Sequence, residues 1–243
     1  MLNINVSDLG PVRNLLIQVE RQAVFATMKT FNTSCFEIQK LEKQEMAGVF
    51  DRPKPWTLNS MKVDKATKTD LTARVYPKTE APTGTPAGKY LGVQIQGGKR
   101  RQKTIERAFR HIGVLRDDEW ILPGRALNLD QYGNITKTVF KNILTGLKTR
   151  GSGYFIPPAG SGLARGVWKR PVVLESQRSR ARTPGRTAAR ATRHNSIEMV
   201  LLFINPTNYP PKYEFDKVAE VFVERNLLRI WDDEFRRAMA TAR

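Results

Sequence analysis

Residues able to carry out catalysis or to bind metals are few in this chain, and they are widely separated. The two histidines, His111 and His194, have no partner at the spacing of metal ligands, and the single cysteine, Cys35, has no second thiol with which to form a disulfide. Residues 84–89 resemble a phosphate-binding loop, but Tyr90 follows where a magnesium-binding hydroxyl is required. These side chains therefore predict no nucleophile, no metal centre and no nucleotide site.

Two runs of three acidic residues are the remaining candidates for metal binding. Residues 117–119 and residues 232–234 both read Asp-Asp-Glu. On a helix, consecutive side chains point about 100° apart, so the second run spreads over the circumference instead of converging on one ion. We interpret both runs as solvated acidic surface, and we expect a protein that is not an enzyme and that binds no cofactor and no metal ion.

Positive charge is the dominant feature of the composition. Forty-one Lys and Arg against 23 Asp and Glu give the chain of 243 residues a net charge of +18. Such a surface favours binding to anions. The longest clean apolar run, residues 199–204, is much shorter than the roughly twenty residues of a membrane-spanning helix. We therefore expect nucleic acid or an acidic protein face, and not a membrane, as the partner.

Two segments carry most of the excess positive charge. Residues 99–116 contain seven basic residues and one acidic residue, and residues 165–193 contain nine basic residues and one acidic residue. Basic side chains neutralise phosphates without reading base sequence, but an acidic protein surface attracts them equally well, so both partners stay open. The candidate contacts with DNA or with an acidic partner are Lys99, Arg100, Arg101, Lys103, Arg107, Arg178, Arg180, Arg182, Arg186, Arg190 and Arg193.

The hydrophobic pattern predicts an α+β fold with a mainly antiparallel sheet, a long N-terminal helix, a C-terminal helix and extended loops. Apolar residues at helical spacing predict the first helix, in which Cys35 is a packing residue. The predicted helices span residues 13–48, 99–115 and 136–147, and a last one starts near residue 215. Alternating apolar residues predict a hairpin within residues 56–78 and strands at residues 154–156, 167–174 and 198–204.

The composition along the chain indicates one domain, residues 1–243, with two long irregular segments. Residues 77–98 are rich in Pro, Gly and Thr, which is typical of a loop. Residues 175–196 combine Arg with Ser, Thr, Ala and Gly and have too few apolar residues for a core. We expect this second segment to be an exposed loop or arm that orders only against a partner.

Several different short sequence blocks follow one another along nearly the whole chain. They are residues 22–28 (QAVFATM), 49–53 (VFDRP) with 56–60 (WTLNS), 65–71 (KATKTDL), 89–92 (KYLG) with 97–101 (GGKRR), 128–134 (NLDQYGN) and 238–243 (AMATAR). Each block is short, but their order and coverage together resemble the minor tail protein Z-like, or tail completion, family of bacteriophage proteins.

The resemblance implies a virion component of the tail or neck, made in the cytoplasm of the bacterial host and without catalytic residues. It implies a homo-oligomeric ring or collar, a hexamer or a dodecamer, that contacts portal or adaptor proteins and tail proteins and surrounds the DNA conduit. Phages with short tails and phages with long tails both fit. The alternative, which rests on charge alone, is a sequence-nonspecific nucleic-acid-binding protein.

Overall fold

The fold is described from a computed structural model, which covers residues 10–171 and 196–241. The chain divides into two compact units: unit 1 comprises Met1–Gly98 and Tyr209–Arg243, and unit 2 comprises Lys99–Asn208. Unit 2 is therefore inserted between two parts of unit 1, whereas from sequence we expected a single continuous domain. The predicted arm lies outside the described residues, apart from its last residue, Ser196.

Unit 1 is built on two long antiparallel helices. These are α1 (Gly10–Val49) and α6 (Phe215–Ala240), which confirm the predicted N-terminal and C-terminal helices. The indole Nε1 of Trp231 donates a hydrogen bond to Thr27 Oγ1 at 3.0 Å, and the hydroxyl of Tyr213, just before α6, donates to Glu42. Residue numbers rise along α6 as they fall along α1, so the two helices run in opposite directions.

A β-hairpin packs beside α1, as the alternating pattern predicts. After the short helix α2 (Pro55–Leu58), strand β1 (Met61–Asp64) pairs antiparallel with β2 (Arg74–Pro77). The side chain of Asn32 on α1 forms hydrogen bonds of 2.7 and 3.0 Å with the backbone of Ala66, which fixes the hairpin against the helix. The core of this unit contains Met46, Met61, Ala87, Leu91 and Tyr213.

The prediction of a loop over the whole of residues 77–98 is wrong for residues 87–96, which form helix α3 (Ala87–Gln96). Ala87 and Leu91 lie four residues apart on one face of the helix, and each is only 1% exposed. Burial of this face outweighs the roughly 1 kcal/mol by which each of the two glycines disfavours a helix. The helix ends at Gly97, whose φ of +76° lies in the region that favours glycine.

Unit 2 contains a four-stranded antiparallel sheet with two helices packed on it. The chain passes between the units at two strands of two residues each, β3 (Gly98–Lys99) and β8 (Asn208–Tyr209). The helices are α4 (Thr104–His111) and α5 (Lys137–Lys148). The strands are β4 (Trp120–Pro123), β5 (Tyr154–Phe155), β6 (Gly166–Lys169) and β7 (Glu198–Ile204), in the spatial order β4-β7-β6-β5.

The core of unit 2 lies between this sheet and its helices. Ile121, Val167, Leu201 and Phe203 come from the sheet, and the rings of Phe109 on α4 and Phe140 on α5 meet edge to face with 6.4 Å between their centroids. The predicted strands at residues 154–156 and 198–204 are confirmed. The strand predicted over 167–174 ends at residue 169, and residues 172–174 lie outside the described part.

Helix α4 is shorter than the helix predicted over residues 99–115. Lys103 has an extended backbone, with ψ of 150°, so the helix starts only at Thr104. Gly113, with φ of +72°, follows its C-terminal end and stops it. No helix within residues 10–171 and 196–241 combines the length and the apolar character needed to cross a bilayer.

Candidate binding surface of unit 2

Unit 2 holds most of the excess positive charge of the described chain. Residues 99–171 and 196–208 contain fifteen Lys and Arg against six Asp and Glu, a net charge of +9. Residues 10–98 and 209–241 contain nineteen against fifteen, a net charge of +4. Two of the six acidic residues of unit 2, Glu106 and Glu119, are buried. At most four carboxylates of these ranges are therefore at the surface beside the exposed lysines and arginines.

Glu106 holds the start of α4 in place. Its fully buried carboxylate accepts hydrogen bonds from the guanidinium of Arg100 and from the backbone N–H groups of Lys103 (2.8 Å) and Ile121 (3.1 Å). The guanidinium also lies over the indole ring of Trp120, 4.3 Å from its centroid. Arg100, one of the predicted contacts with DNA or an acidic partner, thus directs its guanidinium at Glu106 and helps to position α4.

The charged state of Glu106 follows from these donors. Burial by itself favours the neutral acid and raises the pKa. The hydrogen bonds from Arg100, and then those from the backbone, outweigh burial, so the pKa of Glu106 lies below its ordinary value. The carboxylate therefore stays ionised at neutral pH and neutralises one of the basic residues of the 99–116 segment.

Glu119 plays a similar part in the turn between α4 and β4. Arg165 Nε donates to its carboxylate, and the backbone N–H of Arg116 donates at 2.9 Å. Arg110 donates to the carbonyls of Arg116 (3.0 Å) and Asp117 (3.1 Å). The acidic run 117–119 therefore does not converge, because Glu119 points inward while Asp117 is exposed.

The exposed face of α4 is basic. Arg107 and His111 are spaced four residues apart, which places them on one face of the helix, and both are exposed; Lys103, just before the first turn, is exposed as well. Phe109 and the only acidic residue of this helix, Glu106, are buried on other faces. No carboxylate of α4 therefore interrupts its exposed basic face.

Helix α5 presents a second basic face, which the sequence analysis does not predict. Lys137, Lys141 and Lys148 are exposed at spacings of four and seven residues, so they share one face. Ile143 and Gly146 are buried on the opposite face. The helix contains no Asp or Glu, and this absence, combined with Lys, Thr and Asn at its polar positions, was the signal in the sequence.

The two basic faces belong to neighbouring helices, since Phe109 of α4 contacts Phe140 of α5. Ammonium and guanidinium groups on such a surface bind phosphate or carboxylate oxygens, and nearby Thr and Asn side chains supply further donors. This chemistry is electrostatic and does not read base sequence. We call Lys103, which precedes α4, and the exposed basic residues of α4 and α5 the basic surface of unit 2; the set is Lys103, Arg107, His111, Lys137, Lys141 and Lys148.

The remaining predicted contacts divide into two groups. Lys99 and Arg101 lie a few residues before α4 in the sequence, and both are exposed. The other six lie outside the described residues; they are Arg178, Arg180, Arg182, Arg186, Arg190 and Arg193.

The acidic run 232–234 lies on α6 in unit 1 and spreads around the helix, as predicted. Asp232 pairs with Arg236 at 2.7 Å, and Glu234 pairs with Arg237 at 3.1 Å. Each carboxylate is thus directed at an arginine of its own helix. In the part of the chain that the structure describes, no three His, Cys, Asp or Glu side chains gather in a way that holds a metal ion.

One carboxylate of unit 1 is buried without an arginine. Glu42 on α1 is fully buried, accepts a hydrogen bond from the hydroxyl of Tyr213, and has no described partner for Oε1. Burial raises the pKa of Glu42 to about 7, the bond from Tyr213 opposes this, and the carboxylates of Glu45 and Asp216 add to it. Glu42 therefore gains charge within the neutral pH range.

Comparison of the chain with known protein families, with curated proteins and with solved structures gave no match.

Proposed function

We propose that this chain is a structural protein of a bacteriophage head–tail junction: a tail completion, neck, connector or adaptor component. In this role it assembles as a ring or collar that joins the tail to the head and helps to form the DNA conduit. The proposal combines the sequence blocks that resemble tail completion proteins with two different surfaces, one on each unit.

The observation that carries the proposal is the amount of apolar surface on the long helices of unit 1. Leu15 and Leu16 on α1 are 54% and 63% exposed, and Leu228 on α6 is 82% exposed. Large apolar side chains exposed in this way on helices are typical of protein–protein contacts. An assembly protein needs such surfaces toward its neighbours, and a ring protein needs them toward its own copies.

The basic surface of unit 2 supports the second part of the proposal. A protein beside packaged DNA, or beside an acidic face of a portal or adaptor, requires positive charge on the side that meets this partner. Helices α4 and α5 provide that charge without exposed carboxylates of their own. Unit 1 is thus assigned to protein contacts and unit 2 to the anionic partner.

A nonsense mutation in the phage gene for this chain tests the proposal. In a host that does not suppress the mutation, we expect DNA-filled heads and finished tails that are not joined, seen by electron microscopy of the lysate. A plasmid copy of the normal gene restores joined particles and serves as the control. Joined, infectious particles in the absence of the chain overturn the proposal.

A nucleic-acid-binding protein is the second candidate, because the basic surface of unit 2 also fits duplex DNA. Binding of the purified chain to duplexes of unrelated sequence, measured at several salt concentrations, separates the two. Tight binding that falls steeply with salt and ignores sequence favours the second candidate. Weak DNA binding together with defined oligomers favours the junction protein.

A further inference from the structure

The first turns of α1 extend beyond the end of α6. Since Thr27 lies beside Trp231 and one residue adds the same rise on both helices, Ala240 at the end of α6 comes level with about Gln18 of α1. Among the residues that the structure describes, no other helix of unit 1 lies beside the part of α1 before this level. We call Leu15, Leu16 and Ile17, which are all exposed there, the α1 knob.

The α1 knob requires a walled groove and not a flat surface. Three consecutive helical residues cover an arc of about 200°, so a flat partner leaves at least one of them in water. A groove with walls on more than one side covers all three.

Unit 1 contains such a groove, with a volume of about 390 Å³. One wall is α1, through Phe31, Cys35 and Ile38, and another is α6, through Ala219, Val223 and Leu227. The third wall is formed by Leu71, Thr72 and Ala73, which lead into β2, and by Val75 of β2. The hydroxyl of Ser34 also lines this groove; it is buried and has no hydrogen-bond partner among the described residues. We call this feature the unit 1 groove.

The charges beside the knob and the groove are complementary. Asp216, Glu220 and Glu224 are exposed at spacings of four residues along the α6 wall, and none forms an ion pair with a described residue. The knob is flanked by Arg13 and Arg21, which are exposed and likewise unpaired in the described chain, with Glu20 as the only acidic residue in the same stretch. A helix end with two arginines therefore meets a groove whose α6 wall carries three unpaired acidic side chains.

A knob cannot fill the groove of its own molecule. Leu16 and Cys35 are both on the continuous helix α1, nineteen residues and therefore roughly 28 Å apart. Only the knob of another molecule can reach the groove. Each copy then offers one knob and one groove at different places, which is the arrangement of a head-to-tail contact that repeats around a ring.

We infer that the unit 1 groove binds the α1 knob of a second copy of this chain. The inference deepens the proposed function, because it names the contact through which the ring or collar forms, and it rests on that function for the ring itself. Arginines flanking the knob pair with the acidic rim of the neighbour, and the apolar knob displaces water from the groove.

Two variants that each destroy one half of the contact test the inference. Leu16→Glu places a charge on the knob, and Ala219→Trp fills the groove. We expect the normal chain to form a discrete multiple of 27.6 kDa in light scattering after gel filtration, and we expect each variant alone to be monomeric. Trp56→Glu is the control, because Trp56 on α2 is 50% exposed and belongs to neither the knob nor the groove; this variant keeps the oligomer.

Mixing the two monomeric variants gives the sharper result. The knob of the Ala219→Trp chain is intact and so is the groove of the Leu16→Glu chain, so the mixture forms a one-to-one dimer that cannot extend. A contact between identical surfaces is not restored in this way. Absence of this dimer, with both variants folded by circular dichroism, overturns the inference.

Cys35 provides a second readout, because it lines the groove and is the only cysteine of the chain. We expect a thiol reagent to label it roughly tenfold more slowly when the chain concentration is about 100 times the dissociation constant, because about one groove in ten is then free. Labelling is measured at mildly alkaline pH, since burial raises the pKa of this thiol. The Leu16→Glu chain shows no such slowing.

The outcomes separate this inference from the proposed function. An oligomer that survives both variants shows that copies assemble through another surface, and a normal chain that stays monomeric shows that the groove does not bind a second copy. Both results overturn the inference while the test with phage particles still decides the role at the head–tail junction. If both variants lose the oligomer but phage without the normal chain still form joined particles, the contact between knob and groove is supported and the role at the head–tail junction is overturned.

Discussion

The three buried carboxylates of the described chain are held in two different ways. Glu106 and Glu119 each accept hydrogen bonds from an arginine and from backbone N–H groups, and the pKa of each lies below its ordinary value despite burial. Glu42 accepts a hydrogen bond from the hydroxyl of Tyr213 and from no described arginine, and burial raises its pKa. The first two carboxylates therefore stabilise the fold when ionised, whereas Glu42 stabilises it when protonated.

Replacement of the buried acid in unit 1, Glu42→Gln, changes how stability depends on pH. The ordinary carboxyl has a pKa near 4.5 and the folded one a pKa of about 7, so the folded chain binds more protons between these values and the normal protein loses stability as pH rises through this window. Above pH 7 we expect the variant to be more stable by up to about 3 kcal/mol, since each pKa unit corresponds to about 1.4 kcal/mol.

Urea denaturation of both chains at several pH values measures this difference. The gain must shrink toward pH 4.5, where both chains carry a neutral side chain at this position. A gain that is constant with pH contradicts the assignment, because it indicates better packing and not the removal of a buried charge.

Replacement of the buried acid in unit 2, Glu106→Gln, has the opposite sign. It leaves Arg100 without its anion inside the fold, and breaking such a pair typically destabilises a protein by about 3–5 kcal/mol. We expect a clear loss in urea denaturation at neutral pH that diminishes as acid protonates the normal carboxylate. Asp117→Asn removes an exposed carboxylate near Arg110 and is the control, for which we expect little change.

At the scale of helices and strands, the spacing of apolar residues predicts where most elements lie but not which elements pack against each other. The pattern around Val24 and Phe31 predicted α1, and the run at residues 198–204 predicted β7, because both patterns report a buried face. Helix α3 escaped prediction because its glycines disfavour a helix locally, and only contacts with distant parts of unit 1 outweigh them. The α1 knob and the unit 1 groove depend on how α1 and α6 align, which periodicity does not contain.

The close contact between β6 and β7 makes Gly166 a sensitive position. A Cβ atom added there lies 2.1 Å from the carbonyl oxygen of Leu201, which belongs to the backbone and cannot move without disrupting the sheet. We expect Gly166→Ala to destabilise the protein by roughly 1–3 kcal/mol or more. Gly48→Ala is the control, because its Cβ meets nothing within 4 Å and alanine favours the helix. Thermal unfolding of both variants gives the comparison.

The basic face of α5 is tested by charge removal. Replacing Lys137, Lys141 and Lys148 with serine lowers the net charge by three, and the same is done for the exposed lysines Lys29, Lys40 and Lys43 of α1 as the matched control. We expect only the α5 variant to weaken binding to duplex DNA, with a salt slope smaller by about 2–3. Equal weakening in both variants contradicts the assignment of the anionic partner to unit 2.

For the whole molecule, the insertion of unit 2 into unit 1 predicts different behaviour of fragments. The core cluster around Phe109 and Leu201 draws its residues from unit 2 alone. We therefore expect a fragment of residues 99–208 to fold and to unfold cooperatively on heating, as seen by near-ultraviolet circular dichroism. A fragment of residues 1–98 lacks α6, so its helix α1 loses the neighbour that covers it, and we expect it to aggregate or to remain loosely packed.

The same insertion has a consequence during synthesis on the ribosome. Helix α1 is made before unit 2, and its neighbour α6 is made only after unit 2. About 190 residues separate their C-terminal ends, so at normal translation rates α1 waits roughly 10 to 40 seconds for the helix that covers it. The β1–β2 hairpin is made soon after α1 and packs beside it, but throughout this interval the part of α1 around Thr27 that faces Trp231 stays without α6, and chaperones that bind nascent chains can cover it.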